Sequence, residues 1–145
     1  MEFDQNNKVV QLCAAGMEME GQGKPADAAK HFEDAWDIAS TDFEKFTAAH
    51  YVARHQKNTS EKLIWDKLAL KHALNIDDVG IKETLPSLYL NIGKCYEGLR
   101  DLESAKSNYQ AAFSFATFLP ENGYGKMIKA GISKALDKID QAGSR

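Results

Sequence analysis

The segment GMEMEGQGKPADAAKHFEDAWDIA, residues 16–39, decides the fold, because its pattern recurs 77 residues later as GKCYEGLRDLESAKSNYQAAFSFA, residues 93–116. Phe32 is matched by Tyr109, so one aromatic residue takes the place of another. The small residues also recur: Gly16, Gly21, Ala28, Ala35 and Ala39 return as Gly93, Gly98, Ala105, Ala112 and Ala116. Self-similarity at a fixed offset indicates a repeat architecture. In it, small residues let neighbouring helices approach closely and the aromatic ring fills the space between them.

Length and composition fit a single domain over 1–145, with 43% hydrophobic and 27% charged residues. The net charge of −3 gives no general electrostatic case for nucleic-acid binding. The only cysteines, Cys13 and Cys95, are too far apart in sequence for a CxxC motif. The polar N-terminus is not typical of a signal peptide, and no apolar run approaches the roughly 20 residues that span a bilayer. We therefore predict a cytoplasmic protein without a membrane segment.

Apolar residues recur at helical spacing along nearly the whole chain, which predicts seven helices. The first covers about 6–21 and the second about 25–39. The third follows a capping box at Thr41–Glu44 and reaches about Gln56. The fourth is capped by Asn58, Thr59 or Ser60, and a turn follows at 77–80. The fifth runs from near Glu83, or from a late start near Leu85, to Gly98. The sixth is capped by Asp101 and extends to about Phe118, and the last covers about 124–141.

The matched residues resemble the tetratricopeptide repeat (TPR) family, whose unit is a pair of antiparallel helices. The first copy matches with Leu12, Ala15, Gly16, Met19, Ala28, Phe32 and Ala35, and the later copy with Tyr89, Ile92, Gly93, Tyr96, Ala105, Tyr109 and Ala112. Between them lies a degenerate unit in which Ala49 is the small residue of the first helix. Trp65 and Leu68 take the aromatic and small positions of its second helix, where Glu61 stands in place of the usual alanine.

The resemblance implies an all-α fold of the TPR-like α–α superhelix class. The expected units cover about 6–40, 42–75 and 83–118, followed by a capping helix at about 124–141. The small residues Gly16, Ala49, Gly93 and Gly131 are separated by 33, 44 and 38 residues. Since the usual repeat is about 34 residues long, the later units resemble the lengthened repeats of kinesin light chain-type proteins.

Members of this family usually hold partners on the first helix of each pair, and the resemblance carries that role to seven positions of this chain. The expected peptide-binding residues are Met17, Phe46, His50, Arg54, Leu90, Asn91 and Lys94. Phe46, Met17 and Leu90 would receive an apolar side chain. Arg54 and Lys94 would hold a carboxylate or phosphate, and Asn91 a peptide amide. The family subclass that clamps C-terminal carboxylates is not expected, because Cys13 and Met17 stand where that clamp needs Lys and Asn.

Signals for catalysis are weak, and the chain is not expected to be an enzyme or to carry a cofactor. His50 and His55 are five residues apart and so do not match the i,i+4 pairing of helical metal ligands. Neither a Gly-rich phosphate loop nor a nucleophile elbow is present. The last helix carries Lys126, Lys129, Lys134 and Lys138 away from its apolar face, which predicts a solvated lysine surface.

The sequence thus predicts a non-catalytic interaction module, or scaffold, that holds a peptide or a partner helix in a concave groove. Three alternatives remain open. One is a homo-oligomeric structural protein that associates through the groove or through the region of Phe115, Phe118 and Tyr124. The second is a regulatory helical-repeat protein that senses a peptide or small ligand. The third is an enzyme or RNA-acting protein, for which the sequence shows no site and which a basic stripe on the last helix would support. Repeat framework residues encode packing, so they do not identify the partner.

Overall fold

The computed structural model describes residues 4–143, which are helical apart from their connections and contain seven α-helices. They form two compact units, 4–77 and 78–143. The first unit holds α1 Lys8–Gly21, α2 Pro25–Ile38, α3 Asp42–Ala53 and α4 Thr59–Leu74. The second holds α5 Leu85–Gly98, α6 Leu102–Phe115 and α7 Gly123–Gly143. A 3-10 segment, Val79–Glu83, precedes α5, and another, Ala116–Phe118, follows α6.

The hairpins α1–α2 and α5–α6 are built alike down to their turns. The backbone N–H of Lys24 donates to the carbonyl of Met19, and 77 residues later Asp101 donates to Tyr96, both at 2.9 Å. Gly23 and Arg100, which also differ by 77, both have a left-handed backbone, with φ of 74° and 64°. The sequence repeat is therefore a repeat of helices, turn and backbone conformation.

Each of these hairpins is held together by an aromatic ring against a glycine. In the first unit Phe32 is fully buried in a core with Val9, Cys13 and Ala28. A Cβ placed on Gly16 would lie 2.3 Å from Cε1 of Phe32, which is too close for any side chain. In the second unit a Cβ on Gly93 would lie 2.4 Å from Cε1 of Tyr109. Glycine at these two sites is thus what lets each ring lie against the first helix.

The second pair, α3–α4, departs from the expected packing. The sequence places Trp65 and Leu68 at the aromatic and small positions of α4, but the buried residues of this helix are Asp66, Ala69 and Ala73. The expected register is therefore wrong by one position, because Trp65 packs edge-on against Trp36 of α2 instead. Asp66 is only 2% exposed and pairs with Lys62 one turn earlier.

Gly131 is expected, as one of the four small residues of the first helices, to be required for close helix packing, but it is not. A Cβ there would meet only Leu90 Cδ2, at 3.4 Å, which is ordinary contact.

The two cysteines are buried, Cys13 in the first unit and Cys95 in the second.

Helix ends follow their capping residues. Asn58 and Asp101 accept hydrogen bonds from the backbone of the first turns of α4 and α6. Pro25 and Pro86 sit in the first turns of α2 and α5, where no N–H is needed. The late start of α5 at Leu85 is the observed one, since a 3-10 segment capped by Asp78 occupies the residues before it. The predicted capping box is present, with reciprocal bonds between Thr41 and Glu44.

Glu44 makes this cap sensitive to acid. Its carboxylate accepts from the backbone N–H groups of Ser40 and Thr41 and from the side-chain amide of Asn7, at 2.8–3.2 Å. These bonds, that from Ser40 first, lower the pKa of Glu44 to about 2. A lowered pKa means that the stabilisation is present above the unfolded value and is lost as pH falls from about 4.5 to about 2.

We therefore expect Glu44→Ala to lower the free energy of unfolding by about 1 kcal/mol at neutral pH and to have a much smaller effect near pH 2, where the carboxyl is about half protonated. Urea unfolding of both proteins across that pH range measures the difference. Glu103→Ala in the first turn of α6, where the carboxylate is exposed, is the control. A constant difference between Glu44→Ala and wild type from neutral pH down to the acid limit would contradict the assignment.

Candidate functional site

The second unit carries a basic cleft where α7 lies against α5. Its volume is about 460 Å³. Lys94 and Glu97 reach it from α5, while Lys134 and Lys138 reach it from α7, one turn apart on the same helix face. The remaining lining residues are Gly98, Tyr109, Gly131 and Ala135. We call this surface the lysine cleft.

Glu97 is the only acid that lines the lysine cleft among the described residues, and it is already bonded. Nζ of Lys138 lies 3.0 Å from its Oε2, and the hydroxyl of Tyr109 donates to its Oε1 at 2.8 Å. Burial opposes ionisation of Glu97, but the bonds from Lys138 and Tyr109 outweigh burial and lower the pKa of this carboxyl. The charges of Glu97 and Lys138 therefore offset each other, which leaves Lys94 and Lys134 as the surplus positive charge.

Two of the predicted peptide-binding residues of α5 are accessible and one is not. Lys94 is exposed and Asn91 is half-buried, one turn earlier. Leu90 is 4% exposed and packs in a core with Ile128 and Ile132 of α7. The expected role of Leu90 as a receiver of an apolar partner side chain is therefore corrected, because the capping helix already covers it.

The predicted peptide-binding residues of the first unit also include both exposed and buried side chains. Met17 on α1 is exposed, as is Arg54 at the end of α3. The guanidinium of Arg54 lies over the ring of Tyr51, 5.4 Å from its centroid, and 3.6 Å from a carboxylate oxygen of Glu20. The same carboxylate contacts Nε2 of His55 at 2.8 Å. Arg54 is thus held in place by neighbours while its side chain stays about half exposed.

Phe46 and His50, the other predicted residues of α3, lie mostly inside the protein. Phe46 is 7% exposed, so its expected role in receiving a partner side chain is also corrected. Burial lowers the pKa of His50, and the neighbouring positive charge of Arg54 lowers it further. Nδ1 of His50 is buried and has no hydrogen-bond partner among residues 4–143. His50 is therefore neutral and only slightly accessible.

Sequence reasoning missed Lys134 and Lys138, for which it predicts no more than a solvated surface. Their spacing of four residues places them on one side of α7, but the sequence does not tell that this side meets α5. The contact between Lys138 and Glu97 is a tertiary contact that no local pattern reveals.

Neither a metal-binding cluster nor a membrane-spanning helix is found in the part of the chain that the structure describes. Within residues 4–143, no group of three or more His, Cys, Asp or Glu side chains is arranged to hold a metal ion. Over the same residues, no helix combines the length and the hydropathy needed to cross a membrane.

Comparison with known proteins identifies the fold. No protein-family model and no curated protein matches the sequence. The structure of PcrH from Pseudomonas aeruginosa is similar, with a TM-score of 0.67 and 16% identity, covering 96% of each chain. So is the first TPR of Spaghetti (RPAP3) bound to the HSP90 peptide SRMEEVD, with a TM-score of 0.64 and 21% identity over 95% of this chain and 94% of that one. The chain has a TPR-like fold, and the predicted all-α class of TPR-like α–α superhelices is confirmed.

Proposed function

We propose that this protein is a non-catalytic interaction module that binds a peptide segment rich in carboxylates, with the lysine cleft as its main contact surface. The observation that carries the proposal is the surplus positive charge of Lys94 and Lys134 on two packed helices around a space of about 460 Å³. Two exposed ammonium groups facing one cleft repel each other, and a carboxylate placed between them removes that repulsion.

The chemistry of the cleft favours a peptide over nucleic acid. With Glu97 already paired to Lys138, only two surplus ammonium groups remain, which suits a few separated carboxylates better than a continuous phosphate backbone. Asn91, one turn from Lys94 on α5, adds an amide that can pair with a peptide backbone. In the similar RPAP3 structure the bound peptide SRMEEVD carries three acidic residues. Because a clamp for a C-terminal carboxylate is not expected in this chain, SRMEEVD serves here as a probe for side-chain carboxylates at the lysine cleft.

Met17 and Arg54 are proposed as a separate peptide contact that belongs to the first unit alone, where both are exposed. Arg54 stays fixed by Tyr51 and Glu20, so it can form a two-point contact with a carboxylate at little cost in side-chain entropy.

The proposal is tested with fluorescein-labelled SRMEEVD and its neutral counterpart, in which Gln and Asn replace Glu and Asp. We expect saturable binding of the acidic peptide by fluorescence anisotropy and no binding of the neutral one. Lys94→Glu together with Lys134→Glu should weaken binding at least about tenfold, because two attractions become repulsions. Both lysines are exposed, so the fold should be unchanged by circular dichroism.

The matched control is Lys126→Glu with Lys129→Glu, which reverses the same charge on exposed positions of α7 that do not line the cleft. If both double variants weakened binding equally, the loss would come from the change in net charge, and the lysine cleft would be rejected as the binding site. Equal binding of the acidic and neutral peptides would reject a carboxylate ligand.

A further inference from the structure

The first unit contains a pocket of its own, which shares no residue with the lysine cleft. It has a volume of about 330 Å³ and is bordered by three helices of this unit. Its lining residues are Glu33, Trp36 and Asp37 of α2, Val52 and Gln56 near the end of α3, and Trp65 of α4. We call it the tryptophan pocket.

Two indole rings form its aromatic walls. Trp36 and Trp65 stand at 88° to each other with centroids 5.0 Å apart, so that the edge of one ring meets the face of the other. Both side chains are only partly buried. His72 lies beside Trp36, with ring centroids 6.3 Å apart, and is itself bonded to Asp42 at 2.8 Å. The rings are therefore supported from within the unit while part of their surface is open.

Two carboxylates complete the pocket. Glu33 and Asp37 are exposed and lie four residues apart on α2, where like charges repel each other. Neither makes a hydrogen bond or an ion pair within 4.0 Å among the described residues. Lys30 senses both at longer range, but its ammonium pairs with Asp34, 3.0 Å away. Gln56 donates its amide to the carbonyl of Val52 and keeps its own side-chain oxygen as an acceptor.

We propose that the tryptophan pocket binds the cationic head of a ligand: the ammonium or guanidinium group of a Lys or Arg side chain, or a methylated ammonium. Tryptophan gives the strongest cation–π attraction of the aromatic residues. The carboxylates of Glu33 and Asp37 add charge attraction, and a bound cation removes their mutual repulsion. The volume admits one such head group, and a binding site of this kind is independent of the lysine cleft, which prefers the opposite charge.

The chain supplies its own reporter, because Trp36 and Trp65 are its two tryptophans and both line the pocket. The full-length protein is titrated at constant ionic strength with tetramethylammonium and with the N-acetyl amides of lysine, trimethyllysine and arginine. We expect a saturable change in tryptophan emission with tetramethylammonium and with at least one amino-acid amide. The tightest of the three amides identifies the source of the cation. The neutral isostere 3,3-dimethylbutanol should give no saturable change.

Variants separate the pocket from non-specific effects. Glu33→Gln with Asp37→Asn should weaken cation binding about tenfold, since the cation–π contacts remain while the charge attraction is lost. Glu18→Gln with Asp27→Asn removes the same charge from exposed positions of the first unit outside the pocket, keeps the Lys30–Asp34 pair and should leave the affinity unchanged. The proposal is overturned if no cation gives a saturable change. It is equally overturned if the neutral isostere binds as well, or if the two double variants behave alike.

Discussion

Replacing Phe32 with alanine is expected to lower the free energy of unfolding by about 3–5 kcal/mol. The ring is fully buried and lies between α1 and α2, in contact range of Tyr51 and His55, whose ring centroids are 5.1 and 5.5 Å away. Its removal leaves a cavity that these neighbours cannot fill. Urea denaturation followed by circular dichroism measures the loss, and Phe113→Ala, at a ring that is 62% exposed, should change stability by less than about 0.5 kcal/mol.

The role of the Phe32 ring can also be tested at Gly16, because the effect of Gly16→Ala on stability should change sign when the ring is removed. Gly16→Ala alone should be destabilising, because its Cβ would lie 2.3 Å from the Phe32 ring, and overpacking costs about 1–3 kcal/mol. In the Phe32→Ala background the same change should be neutral or stabilising, since alanine then enters an empty space and favours helix by up to about 1 kcal/mol. An effect of Gly16→Ala that is the same in both backgrounds would show that glycine and ring are not coupled.

The second large effect is expected at Lys62. Its ammonium pairs with Asp66, whose side chain is 3% exposed, while the lysine itself reaches the surface at 37% exposure. Lys62→Met therefore removes an ion-pair partner from a buried carboxylate, a change that costs about 3 kcal/mol in comparable cases. Denaturant unfolding at neutral pH measures it, and adding Asp66→Leu should recover much of the loss because the buried charge is removed as well.

The chain offers a matched control for this substitution. Lys30 and Asp34 form the same i,i+4 pair on α2, but their side chains are 71% and 43% exposed. Lys30→Met should change stability by less than about 0.5 kcal/mol, as expected for an exposed pair. If Lys30→Met and Lys62→Met destabilised the protein equally, burial of Asp66 would not be the cause.

Much of the fold could be predicted because its determinants are local. Thr41 and Glu44 form a capping box from residues three apart, and Asp101 caps α6 through its own side chain. The spacing of 16 residues that separates Gly16 from Phe32 and Gly93 from Tyr109 also follows directly from the sequence. Such features depend on neighbours within one hairpin, so the pattern alone specifies them.

The middle hairpin could not be predicted with the same accuracy. The residue 16 positions before Asp66 is His50. The α3–α4 hairpin therefore has two polar residues at the positions where the other two hairpins have a glycine and an aromatic ring. Trp65, one position earlier, is the more conspicuous aromatic residue, and it packs against Trp36 on α2. The sequence pattern therefore assigns Trp65 to the buried position of α4, whereas the structure buries Asp66 there.

The candidate site could be predicted only where exposure follows from helix position. Lys94 and Arg54 are exposed, which the proposed binding role requires, but Leu90 is covered by α7. Whether a face of α5 is open depends on how the capping helix packs, and the same packing brings Lys134 and Lys138 to Lys94. Both outcomes are decided by contacts between helices far apart in sequence, which hydrophobic periodicity does not encode.

Each unit contains one buried cysteine, whose alkylation can report how often that unit opens. Cys13 is 2% exposed in the first unit and Cys95 is 4% exposed in the second, and burial raises the pKa of Cys13 to about 11. An alkylating reagent attacks only an exposed thiolate, so each cysteine reacts in proportion to how often its own unit opens to expose it. Mass spectrometry of the two labelled peptides would therefore measure the opening of both halves of the chain in one sample, without any added probe.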